Sequence, residues 1–223
     1  MAKDRSRPGD LSGAPLRPRD RIVISACELF QKHGIRAIGV DAIAEAAGTN
    51  KMMLYRQFGS KDDLIVACLQ KIASDAEAVW DELDAEYPGD KLAQLRGFVR
   101  RAAECVLTDK QSCDMANAAF ELTEVGHPAR RVVEDFKVAY RNRLARLCGE
   151  AGIVQGELLA DTLCLLVEGA RVSRQSVGAE GPSARFVRLA DVVIDSFARR
   201  PAGDEMAAEG ALIVNGEEAP SRG

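Results

Sequence analysis

The eight prolines of this 223-residue chain stand at positions 8, 15, 18, 88, 128, 182, 201 and 220, leaving proline-free spans of 69 residues (19–87), 39 (89–127), 53 (129–181) and 18 (183–200). A proline inside a helix removes a hydrogen bond and clashes with the preceding turn, at roughly 3 kcal/mol, so long spans without one favour helices. Within these spans Ala, Leu, Glu, Arg and Lys dominate, and alternating Val/Ile/Thr runs of strand type are absent. The fold is expected to be all-α. Apolar residues at 47% and charged residues at 29% exclude wholesale disorder and a membrane protein, and no apolar run approaches the roughly 18 residues of a membrane span.

Periodicity places the helices. Ile22, Ala26, Leu29, Phe30 and His33 recur at helical spacing over 20–33, and Gly34 stops that helix. Val40, Ile43, Ala44 and Ala47 share a face of a short second helix at about 40–47, which Gly48 ends. Asn50 is the expected N-cap of a third helix, Lys51 to Phe58, and Ser60 with Asp63 approximates a capping box for a long fourth helix of about six turns. Two short helices joined by a tight glycine turn are a helix-turn-helix candidate. Further helices are expected from Leu92 to Val106, at about 113–122, from Pro128 to Gly149, and over 156–177 and 183–199.

The net charge of -4 hides a polarised chain. Residues 1–61 hold 11 Lys/Arg against 6 Asp/Glu, a net of +5, and the remainder carries a net of -9. A basic module is what binding to a phosphate backbone requires. Cys27, Cys68, Cys105, Cys113, Cys148 and Cys164 form no C-x-x-C pair, no secretory signal is evident at the N-terminus, and His33 and His127 are the only histidines. The cysteines are expected to be small buried hydrophobes in a reducing cytoplasm, with no metal site and no cofactor. With no nucleophile motif or catalytic cluster, an all-α enzyme is not expected; a helix-turn-helix chain that mainly scaffolds partners is the other alternative.

The string GIRAIGVDAIAEAAGTNKMMLYRQFGSKDDL, residues 34–64, resembles the N-terminal domain of the TetR family of transcriptional regulators at Gly34, Val40, Ile43-Ala44, Ala47-Gly48, Leu54-Tyr55, Phe58, Lys61 and Leu64. Close resemblance covers residues 20–66. In a helix-turn-helix the second helix enters the major groove with its N-terminal residues at the base edges. Asn50, Lys51, Met52 and Met53 stand there, Lys51 able to reach guanine and a methionine able to pack on a thymine methyl. Packing is an equal reading for one of the two methionines. The resemblance puts Tyr55 and Lys61 on phosphates and Gln57 near a base or phosphate, and Arg56 can add a phosphate contact; packing for Tyr55 and solvation for Lys61 remain open. Two departures stand out: Gly39 replaces the family's usual Ser or Thr cap, and Met52 replaces a small residue.

The resemblance implies an N-terminal three-helix helix-turn-helix domain and a larger helical ligand-binding and dimerisation domain. Their expected bounds are a disordered arm 1–18, which can reach a groove, a DNA-binding domain 19–64, a second domain 65–199 and a disordered tail 200–223. The double-stranded operator would be palindromic, and repression the usual outcome. The partner subunit of a homodimer would pack on the last two helices, where Leu158, Leu159, Leu163, Leu165, Leu166 and Val167 give α-helical segment 156–177 more than one apolar face. Trp80, Phe98, Met115, Asn117, Phe120, Phe136, Tyr140 and Arg171 are candidates to line a cavity for an unidentified small organic effector, with plain core as the competing reading.

Overall fold

A computed structural model of the chain describes residues 16–107 and 114–199. The expectations for residues 1–15, Cys113 and 200–223 fall outside them. Among the described residues there are nine α-helices: α1 Pro18–His33, α2 Val40–Ala46, α3 Lys51–Phe58, α4 Lys61–Glu86, α5 Lys91–Leu107, α6 Asp114–Glu121, α7 Pro128–Glu150, α8 Gly156–Val177 and α9 Phe186–Ala198.

Local chemistry explains the boundaries. Pro18 opens α1 one residue inside the expected arm, because its missing N–H is no loss in the first turn. Asn50 Oδ1 accepts from Met53 N at 2.9 Å at the start of α3, and Ser60 Oγ accepts from Asp63 N at 3.0 Å at the start of α4. Ser60 in turn donates its hydroxyl to the Asp63 carboxylate at 2.6 Å, so the capping pair closes through side chains. His127 Nδ1 accepts from Ala129 N at 3.2 Å and caps α7, a role the sequence reading did not give it. Two further bounds differ from expectation. Helix α4 runs 26 residues rather than six turns, and a 3-10 turn, Pro182–Arg185, precedes α9 where helix was expected from 183.

The apolar faces meet in two cores. The first joins Ile22, Ala26 and Phe30 of α1, Ile43 and Ala44 of α2, Leu54 and Phe58 of α3 and Leu64, Ile65 and Leu69 of α4 to Met115, Ala118 and Leu122 around α6 and Ala129 and Val133 of α7. The second joins Trp80 and Leu83 of α4, Leu95, Phe98 and Val99 of α5, Leu144 and Leu147 of α7, Leu159 and Leu163 of α8, and Phe186, Ala190 and Ile194 of α9. Helices α4 and α7 each give one end to each core. Where α4 and α5 approach, a Cβ built on Gly97 would lie 2.8 Å from both Leu83 and Tyr87, so only glycine fits without displacement. Arg96 adds ion pairs from α5 to Asp191 (2.8 Å) and Asp195 (2.6 Å) of α9.

The cysteines do not behave alike. Cys68 and Cys148 are buried and Cys27 and Cys164 half-buried, whereas Cys105 is exposed, against the expectation of uniform burial. Burial, with the neighbouring Cys164 second, pushes the Cys148 thiol up to about 12, so it is a packing atom rather than a nucleophile at neutral pH.

Candidate nucleic-acid interface

The turn between α2 and α3 is tight because Ala47 N and Thr49 N bond back to Ile43 O and Ala44 O, both at 2.9 Å. Gly48 then takes φ +61°, a left-handed conformation that a side chain would disfavour. Leu54 (0% exposed) and Phe58 (7%) anchor α3 in the first core. The opposite side of the helix is left to solvent, with Lys51, Met52, Tyr55 and Arg56 all exposed.

The two methionines part company here. Met52 is 78% exposed, whereas Met53 is half-buried, its sulfur accepting from Arg56 Nη2 at 3.2 Å and Gln57 Nε2 at 3.9 Å. Lys51 Nζ pairs with Asp41 Oδ2 of α2 at 3.1 Å, an exposed pair worth little in stability but able to aim the ammonium. Asn50 commits its carbonyl oxygen to the cap, and the residue is exposed. Gly39 caps α2 with no side-chain hydrogen bond, as its lack of a hydroxyl requires.

Lys61 sits differently. Its ammonium donates to Ile35 O at 2.8 Å and lies 5.9 Å from the Phe30 ring centroid. Burial holds its pKa below the usual lysine range, although the Asp62 and Glu121 carboxylates oppose that shift. Beside it, Glu121 at the end of α6 accepts from Ile35 N at 3.1 Å and from Arg36 N at 2.8 Å. Sequence reasoning missed Glu121, since a carboxylate bonded to backbone amides 85 residues away leaves no pattern in the chain.

The eight candidate cavity residues do not line one cavity. Trp80 stacks on Phe98 (5.1 Å between centroids, 8° between planes), and Tyr140 packs 6.0 Å from Trp80, 5.6 Å from Phe98 and 5.8 Å from Phe136. These four form a continuous aromatic cluster. Met115 is fully buried in the first core, Asn117 borders a void of about 10 Å³ beside Cys27 and Phe30, Phe120 is 77% exposed, and Arg171 is half-buried on α8. A cleft of about 240 Å³ does open beside Trp80, lined also by Leu83, Asp84, Lys91, Gln94, Arg143, Arg146, Leu147 and Glu150.

No helix among the described residues is long and apolar enough to cross a membrane. Residues 22–68 match the family model described as bacterial regulatory proteins, tetR family. The chain is 43% identical over 53 residues, 24% of each chain, to the HTH-type transcriptional activator FasR of Mycolicibacterium smegmatis (strain ATCC 700084 / mc(2)155), so it spans about a quarter of that relative's length. It is 24% identical over 157 residues to the HTH-type transcriptional regulator AcrR of Shigella flexneri, covering 68% of this chain and 73% of that one. The solved structure of SCO4454, a TetR-family transcriptional regulator from Streptomyces coelicolor, has the same fold with a TM-score of 0.71 at 23% identity, covering 81% of this chain and 96% of that chain. Residues 22–68, which hold α2, α3 and the exposed α3 face, thus match the DNA-binding segment of the tetR family of bacterial regulatory proteins, and the helical remainder completes the fold seen in that TetR-family structure.

Proposed function

We propose that the chain is a cytoplasmic, sequence-specific repressor that binds a palindromic operator as a homodimer and is released when a small organic molecule occupies its second domain. The observation that carries this reading is the exposed side of α3, where Lys51, Met52, Tyr55 and Arg56 project together while Leu54 and Phe58 hold the helix from behind. Lys51, Met52 and the Asn50 amide are assigned to base edges, and Tyr55, Arg56, Gln57 and Lys61 to phosphates or the nearest base, with Met53 supporting Arg56 and Gln57 through its sulfur. Lys61 gives one N–H to Ile35 O and keeps two for a phosphate oxygen. The arm 1–18, the domain bounds 19–64 and 65–199 and the tail 200–223 belong to the same reading.

Tyr55→Ala and Lys61→Ala are each expected to weaken operator binding and to lower the slope of log K against log salt, by about 0.9 where an ionic phosphate contact is lost. Lys51→Ala is expected instead to relax preference at one base pair by about 1–3 kcal/mol. Gel-shift titrations of the promoter beside the chain's own gene, at several salt concentrations, measure both; three variants indistinguishable from the parent would sink the assignment.

The dimer reading is supported by α8 and α9. Leu159, Leu163 and Val167 are buried in the chain's own core, while Leu158, Leu165 and Val172 recur every seven residues on the opposite side at 52–73% exposure. Leu189 and Val192 of α9 are similarly open. Such a seam is what a second copy would cover. Leu165→Glu is expected to convert dimer to monomer in sedimentation at micromolar concentration, without loss of helix by circular dichroism. The effector is placed in the cleft beside Trp80, where apolar wall and charged rim suit an amphipathic molecule. Release requires the effector to favour one placement of the two recognition helices over another, since equal affinity for both shifts nothing.

A further inference from the structure

The turn joining α1 to α2 is held from both sides by groups that lie outside the helix-turn-helix. Glu121, the last residue of α6, spreads its carboxylate over two successive amides, Oε1 to Ile35 N at 3.1 Å and Oε2 to Arg36 N at 2.8 Å. Lys61, the first residue of α4, takes the carbonyl of the same Ile35 at 2.8 Å. Gly34 adopts φ +84°, and a Cβ there would stand 3.1 Å from Glu121 Oε1. Ile35 itself is 3% exposed. The peptide at 35 is thus a fixed point: its N–H is gripped by α6, its C=O by α4, and its side chain by the first core.

We propose that Glu121 is a positioning residue for DNA-spacing specificity: its carboxylate locks the recognition unit against α6 and so sets how far apart the two α3 helices of a dimer stand. This rests on the dimeric, operator-binding reading given above. The carboxylate is the right chemistry for the task. Two acceptor oxygens meet two parallel N–H donors, and a charged acceptor strengthens both bonds. Glutamine offers one acceptor and turns an N–H2 group toward the other amide, so Glu121→Gln removes half the grip while conserving size. The recognition unit follows the grip because α2 begins at Val40, shortly after the held peptide, and shares its buried Ile43 and Ala44 with α1, α3 and α6 in one core. Loosening the grip leaves the base-reading side chains of α3 untouched and removes the polar tie that fixes the unit's placement on α6, leaving only the non-directional shared core to hold it.

The test separates placement from recognition. Two-half-site duplexes selected by the parent chain from a random-sequence pool are re-synthesised with the half-sites moved in single base-pair steps, alongside a duplex carrying one half-site. Moving a half-site by one base pair rotates it around the helix axis, so a rigid dimer is expected to lose about tenfold or more in affinity per step. Glu121→Gln is expected to bind the single half-site as the parent does, with the same base preferences, and to show a spacing penalty reduced to about threefold or less. A variant with the parent's spacing profile overturns the proposal. So does one whose single-half-site affinity falls as far as its two-site affinity, the result of a merely structural role. A parent chain that selects no two-half-site duplex overturns the underlying reading and the proposal with it, and is told apart by needing no variant. Amide hydrogen exchange of the unmodified chain supplies a check independent of the variant's folding. Ile35 and Arg36 N–H are expected to exchange at least about 100-fold more slowly than an unbonded turn amide, and exchange at the open-turn rate would overturn the grip itself.

Discussion

Replacing Phe98 by alanine is expected to destabilise the chain by about 3–5 kcal/mol, the cost of opening a cavity in a close-packed interior that relaxes only in part. Phe98 is 4% exposed, lies flat on Trp80 and packs at a 53° tilt against Tyr140, so its removal strips contacts from two rings at once. The total stability of a folded chain is about 5–15 kcal/mol, so this is a large fraction of it. The measurement is a urea titration followed by the emission of Trp80, the chain's one tryptophan. The same number decides between two roles for the aromatic cluster. If Phe98 bordered open space in a ligand chamber, its truncation would forfeit mainly transfer free energy, about 1.5–3 kcal/mol, without an added cavity cost. A loss at or below about 2 kcal/mol would therefore favour a chamber and refute the packed cluster.

Leu54→Ala is expected to cost about 2–5 kcal/mol and to abolish operator binding at concentrations where the parent is saturated. Leu54 is fully buried and, with Phe58, is what fastens an eight-residue helix that is too short to be stable by itself. Its loss frees α3 before anything else. Because α6 and α7 contribute Met115, Ala118, Leu122, Ala129 and Val133 to the same core, the damage is expected to spread beyond the helix-turn-helix. Thermal melting read by circular dichroism should then show one transition lowered by roughly 5–20 °C. Two well-separated transitions, with the upper one unmoved, would show that the first core unfolds independently.

The helices were legible because punctuation and periodicity act locally. Asn50, Ser60 and the glycines at 34, 48 and 59 mark helix ends through bonds that span three or four residues, and the bounds of α3 follow from them. The exposed face of α3 was legible for the same reason, since burying Leu54 and Phe58 leaves Lys51, Met52 and Tyr55 on the other side. Residues picked by type alone fared differently. Phe120 points to solvent because α6 spends its apolar face on Met115, Ala118 and then Leu122, three and four residues apart, and 120 lies across the helix from that line. Trp80, Phe98, Phe136 and Tyr140 found one another, which aromatic rings do whenever burial brings them within reach. Lys61 was placed on a phosphate by resemblance, while the carbonyl it holds at Ile35 depends on a turn 26 residues earlier. The apolar excess of α8 was visible, but which of its leucines face inward depends on where α5, α7 and α9 lie.

The sharing of α4 and α7 between the two cores bears on how such a chain could be recombined. A DNA-reading head cut after residue 64 would leave Ile65 and Leu69 behind on the same helix and would lose Met115 and Leu122 from the far side of its own interior. A chimera carrying another regulator's head would inherit half a core, and Glu121 would find its two backbone amides only where the turn after α1 kept the same path. Exchange of operator specificity between relatives is therefore expected to work by rewriting the outward residues of α3, whereas transplanting the whole head would require α6 and the start of α7 to travel with it.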